Sequence, residues 1–150
     1  VAVFSSVDHL KASKGADLGT SRTIEVSQAR IDKFAAVTED RQWIHVDTYK
    51  AASGPFGTTI AHGFLTLSLL APFLADLIEV HGASASINYG LNRVRFPAAV
   101  PSNSALHAEG RILDIVDRPG AVDAVVEVTV RSNSSTKAVC IAESIIRYAA

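Results

Sequence analysis

The sequence predicts an α+β fold in which an antiparallel sheet wraps one central apolar helix. Three observations carry this expectation. Between residues 64 and 80, Phe64, Leu65, Leu67, Leu69, Leu70, Phe73, Leu74, Leu77 and Ile78 leave little polar face, and a helix that is apolar all round is a buried one. From Ser86 to Tyr148 the pattern changes to period two, in long runs separated by short polar turns, which implies strands joined to antiparallel neighbours. The whole is 150 residues with 48% hydrophobic and 19% charged, enough for one packed domain spanning 1–150.

The elements follow in order. Arg22 to Val26 alternates polar and apolar residues like a short strand. Ser27 offers an N-cap for a helix whose Ala29, Ile31, Phe34, Ala35 and Val37 suit one face. This helix delivers the chain to a short loop that carries Asp40 and His45. Asp47 or Thr48 caps a further short helix ending near Gly54-Pro55, and a flexible Gly57-Thr-Thr segment leads to His62-Gly63. The apolar helix then runs from Phe64 to Val80, where Pro72 removes a backbone donor and should kink or loosen it. Strands are expected over Ser86 to Phe96, Ala105 to Val116, Ala121 to Arg131 and Lys137 to Tyr148, with turns at Asp117-Arg-Pro-Gly120 and Ser132 to Thr136. The third of these strands is the clearest, since Val122, Ala124, Val126, Val128 and Val130 share one face.

Composition excludes several classes of function. A net charge of -1 with scattered Lys and Arg gives no field for a nucleic-acid backbone. The longest uncharged apolar run, Phe64 to Ala75, is too short to span a bilayer, so no membrane partner is expected. One cysteine, Cys140, allows no internal disulfide and sits in an apolar alternating run, as a small buried hydrophobe would. With no secretory signal among the first twenty residues, a cytoplasmic location is expected. His9, His45, His62, His81 and His107 form no recognised ligand spacing, so no metal is expected, and there is no phosphate loop or dinucleotide glycine motif.

Three motifs occur in series. Phe34, Thr38, Asp40, Ile44, His45 and Ala51 place an acid and an imidazole with four residues between them after a helix, and a small residue six positions beyond the histidine. Ile60-Ala-His-Gly-Phe-Leu-Thr-Leu-Ser-Leu69 puts His-Gly at the start of the apolar helix. Tyr89-Gly-Leu-Asn-Arg-Val-Arg-Phe-Pro97, with Val100-Pro101 after it, forms the third. In this order and over most of the chain they resemble the MaoC-like, (R)-specific enoyl-CoA hydratase family, whose members have the hot-dog fold. The chain departs from the family pattern in having Glu39 where Gly is usual before the Asp, and Gln42-Trp43 where Asn-Pro is usual.

On spacing alone, Asp40 reads as a loop cap and His45 as a surface histidine; the resemblance, carried by the three motifs together, implies that they are catalytic. Hydration of an enoyl thioester needs groups that move protons between water and the α-carbon, and donors for the charge that develops on the thioester oxygen. Asp40 and His45 would share one water for the first task. Gly63, at the helix N-terminus, would offer its unpaired N–H for the second. His62 is expected to position substrate or neighbours, Gln42 and Trp43 to bear on substrate choice, and Arg93 and Arg95 to meet the phosphates of coenzyme A. The resemblance implies no cofactor beyond the coenzyme A carried by the substrate. A homodimer is expected, because one helix covers little of the sheet and family members usually pair sheets edge to edge. Two alternatives remain at this level: a thioesterase on the same fold, and a non-catalytic acyl-thioester-binding subunit of a heteromeric dehydratase.

Overall fold

The structure, a computed structural model, describes residues 1–150. The chain opens with β1 (Ala2–Phe4), α1 (Val7–Lys11), β2 (Asp17–Thr20) and β3 (Ile24–Val26). Three helices follow: α2 (Gln28–Thr38), α3 (Trp43–Val46) and α4 (Thr48–Ala52). Then come α5 (Gly63–Ser68), α6 (Leu70–Leu77) and β4 (Ile78–Val80). The long strands β5 (Ala85–Arg95), β6 (Ser104–Arg118), β7 (Ala121–Ser132) and β8 (Cys140–Ala149) complete it. The six-stranded sheet runs β2-β6-β7-β8-β5, with β3 also paired to β6, and all its pairings are antiparallel.

The period-two pattern builds the core directly. Val122, Ala124, Val126, Val128 and Val130 of β7 are each no more than 1% exposed. Leu106, Ala108 and Ile112 of β6 and Cys140, Ala142 and Ile146 of β8 lie in the same cluster. The α6 helix lays Leu70, Phe73, Leu74 and Leu77 onto this face. Each such side chain contributes about 1.5–3 kcal/mol of burial. Helix and sheet come close at Gly110, where a Cβ would lie 2.9 Å from Leu77 Cδ1 and displace that methyl.

Three expectations need correction. The apolar run is two helices and a strand, not one helix to Val80. Pro72 cannot donate to the Ser68 carbonyl, and one turn earlier the Leu69 N–H is shared between the Leu65 and Thr66 carbonyls at 3.1 and 3.2 Å, which tightens the chain between α5 and α6. Ile78–Val80 leaves the helix because it pairs in parallel with β1, an N-terminal strand of three residues, too short to show a period. Nor is the helix buried all round: Phe64, Ser68, Ala71 and Ala75 are exposed, a stripe at helical spacing. Finally, His45 lies on the short helix α3 and not on a loop.

Candidate active site

The site is assembled where α2 ends, α3 turns and α5 begins. Ser27 caps α2 as expected, its hydroxyl accepting from the Arg30 N–H at 3.2 Å. The helix stops at Glu39, whose φ of 61° and ψ of 20° are left-handed. That is the conformation in which a glycine is free of steric cost, so the family's preference for Gly at this point has a backbone cause. The turn brings Asp40 to the surface, and α3 then carries His45 inward to 6% exposure. Asp47 caps α4, accepting from the Lys50 N–H at 2.9 Å.

Two buried imidazoles face each other across this corner. His45 and His62 stack with ring centroids 3.8 Å apart and planes 22° apart, and Phe34 of α2 lies against His62 at 4.9 Å. His45 Nδ1 lies 2.7 Å from the Ile60 carbonyl, which can only accept, so Nδ1 carries the proton and Nε2 keeps its lone pair when the ring is neutral. By the same logic, His62 Nε2–H donates to the Asp40 backbone carbonyl at 2.9 Å. His62 Nδ1 is buried without a partner in the chain. A carboxylate oxygen of Asp40 and one ring nitrogen from each histidine lie within 4.8 Å of one another.

This clustering was invisible to ligand spacing, since the residues come from three segments. It puts an acid and two imidazoles within reach of one bridging water. Each ring spends one nitrogen on a backbone carbonyl and has the other free of any bond to the chain.

Gly63 opens α5. The first amides bonded into that helix are those of Leu65 and Thr66, both to the His62 carbonyl, so the Gly63 N–H precedes the ladder. A Cβ on Gly63 would meet the Phe96 ring at 3.2 Å. Beside it is an apolar cavity of about 380 Å³, bordered by Phe56, Ile60, Thr66, Phe96, Ala98 and Val139.

Of the other residues singled out from sequence, Gln42 reaches the cluster through its backbone, its N–H donating to Asp40 Oδ1 at 3.5 Å, whereas Trp43, Arg93 and Arg95 make no hydrogen bond to it. Gln42 is exposed and caps α3 without a side-chain bond. The Trp43 ring would touch a Cβ on Gly54 at 3.1 Å and lies beneath Lys50 Nζ, 4.5 Å from the ring centroid. Arg93 and Arg95 are exposed on β5, and neither hydrogen-bonds to Asp40, His45 or His62. Cys140 is fully buried, which pushes its thiol up to about 11, as suits an inert hydrophobe. Sequence reasoning passed over Gln28, which holds the His45 carbonyl from α2. A glutamine in a first helical turn reads as a solvated residue and gives no signal.

The family model described as MaoC like domain matches residues 10–137. The 3-hydroxyacyl-thioester dehydratase Z of Mycobacterium tuberculosis is 47% identical over 148 residues, covering 98% of both chains. Among solved structures, R-hydratase PhaJ1 from Pseudomonas aeruginosa matches with a TM-score of 0.75 at 25% identity, covering 93% of this chain and 84% of that one. The HadBC (3R-hydroxyacyl-ACP dehydratase) complex of M. tuberculosis matches with a TM-score of 0.70 at 18% identity, covering 89% and 96%, a likeness of fold. No helix here is long and apolar enough to cross a membrane.

Proposed function

The chain belongs to the MaoC-like dehydratase family, and we propose that it adds water to trans-2-enoyl-CoA to give (R)-3-hydroxyacyl-CoA, running in reverse as a dehydratase. The observation that carries this reading is the buried His45, its Nδ1–H fixed on the Ile60 carbonyl, beside the Asp40 carboxylate. One water held between that carboxylate and the His45 lone pair would give its oxygen to the β-carbon, while a proton passes from the pair to the α-carbon on the same face. The charge that develops on the thioester oxygen would rest on the Gly63 N–H, at the positive end of the helical segment. These groups supply all the chemistry, so the reaction needs no cofactor, and coenzyme A enters as part of the substrate. The proposed setting is the cytoplasm.

We further propose a homodimer built on β5. This edge strand is exposed along almost its whole length, with Ile87 49%, Tyr89 52% and Leu91 45% exposed, next to the uncovered stripe of α5 and α6. An apolar edge of this kind is what a second copy would cover.

The deciding experiment follows trans-2-enoyl-CoA absorbance and free thiol together. Loss of absorbance without thiol, yielding the R-hydroxyacyl product, is the expected result. Thiol released at the same rate would make the protein a thioesterase, and no reaction by the purified chain would favour a subunit that needs a catalytic partner.

A further inference from the structure

A catalytic imidazole is only as well placed as the backbone beneath it, and the backbone of His45 is gripped by a side chain seventeen positions away. Gln28, the first residue of α2, donates Nε2–H to the His45 carbonyl at 2.8 Å and to Asp32 Oδ1 at 2.9 Å. Its Oε1 accepts a short hydrogen bond from the buried Thr59 hydroxyl. The amide orientation is forced, because a carbonyl and a carboxylate can only accept and must both face the nitrogen. Thr59 adjoins Ile60, whose carbonyl takes the His45 ring N–H and whose own N–H donates to the Ile44 carbonyl at 3.0 Å. One amide therefore ties together the backbone that bears the ring and the segment that orients it.

We propose that Gln28, oriented by Thr59, is a positioning residue for His45, and sets where Nε2 stands relative to Asp40. With His62 on the Asp40 carbonyl, it forms a clamp on both ends of the segment from Asp40 to His45. Gln28 is half-buried and belongs to no apolar cluster, so its side chain can be changed without opening the core. The proposal rests on the hydratase reading for its kinetic arm alone.

The test uses Gln28→Leu, Gln28→Glu and Thr59→Val in the full chain, with trans-2-enoyl-CoA hydration and with histidine-selective 15N NMR. Gln28→Leu removes all three bonds and should lower kcat by about 10- to 50-fold with KM within about threefold, since misplacing a catalytic group harms the chemical step more than binding. Gln28→Glu keeps the acceptor for Thr59 but turns a carboxylate toward two acceptors, and should do no better. Thr59→Val should lower kcat by about 3- to 10-fold, and combined with Gln28→Leu it should add little, because the two act in series. In the NMR arm, the His45 Nδ1–H signal should be slowly exchanging in the wild type and lose that protection in Gln28→Leu, a change that needs no substrate. A wild type inactive on enoyl thioesters, with the His45 signal still responding to Gln28→Leu, would sink the hydratase reading and leave the clamp standing. A folded Gln28→Leu with kcat within twofold and an unmoved His45 signal overturns the proposal. So does a change confined to KM, which would place Gln28 on the substrate.

Discussion

Replacing Glu39 by glycine should stabilise this protein. The residue ends α2 with φ 61° and ψ 20°, and no hydrogen bond of its side chain offsets the strain. An L-residue held there costs about 1–2 kcal/mol against its Cβ, whereas glycine adopts the same backbone freely. Glycine also gains unfolded-state freedom, which takes back about 0.5–1 kcal/mol. The net expectation for Glu39→Gly is about 0.5–1 kcal/mol of added stability, or roughly 1–4 °C in Tm for a chain of this size. Urea unfolding at fixed protein concentration reads it as a higher midpoint at unchanged slope. Hydratase activity should stay within about twofold, because the Asp40 carbonyl remains held by His62 and the change lies outside the reacting groups. A midpoint that falls, or a Glu39→Ala variant as stable as Glu39→Gly, would refute the argument, since alanine keeps the Cβ that the strain depends on.

Three further outcomes follow from the same geometry. Asp40→Asn and His45→Gln should each lower turnover by about 10²-fold or more, and the double variant should be little worse than either, because groups that handle one water fail as a unit; a folded single variant with near-normal turnover would make the corner structural. Asp123→Asn should cost about 2 kcal/mol: the carboxylate is only 3% exposed and bridges Arg147, at 2.7 and 2.8 Å, and Arg118 at 3.1 Å, but both guanidiniums retain some solvent. Arg147, and then Arg118, hold the Asp123 carboxyl below its usual range against the opposing pull of burial, so its stabilisation is complete above the unfolded value near about 4 and is lost as pH falls through the lower folded value; acid titration of stability should therefore be steeper below about pH 4 in the wild type than in Asp123→Asn. Leu91→Lys on β5 should shift the protein from dimer to monomer by light scattering, and a 15.9 kDa species for the wild type at micromolar concentration would contradict the dimer itself.

What could be read in advance depended on how local the physics was. The strand β7 was legible because every second residue from Val122 to Val130 answers to one buried face, and α2 because Ser27 and an apolar stripe act within a few residues. The end of the apolar run was misread because Ile78–Val80 is as hydrophobic in a helix as in a strand, and the choice was made by β1, some seventy-five residues earlier. At the site, the pair Asp40 and His45 had a spacing to recognise, and His62-Gly63 a position at a helix start. The stacking of His62 on His45 and the grip of Gln28 on the His45 carbonyl are contacts between segments 17 residues apart, and no pattern within either segment announces them.

The departures from the family pattern between Asp40 and His45 become intelligible as a change in how one short helix is started. Gln42 is the N-cap of α3 and Trp43 its first residue. Asparagine caps well and proline suits the first helical position, so the usual Asn-Pro begins this turn by local chemistry alone. Gln42 makes no capping bond, and Trp43 brings no fixed backbone angle. The chain starts the turn by packing instead: the indole settles against Gly54, where a Cβ would stand 3.1 Å from the ring, and Lys50 Nζ of α4 stands over the ring, 4.5 Å from its centroid. Gln28 and His62 hold the His45 and Asp40 carbonyls from outside this segment, while within it the Gln42 N–H donates to Asp40 Oδ1 at 3.5 Å and the Gln42 carbonyl accepts from the His45 N–H at 3.0 Å. The indole is thus taken up by Gly54 and Lys50, and within the segment it is the backbone of Gln42, not its side chain, that links the acid to the imidazole of the proposed chemistry.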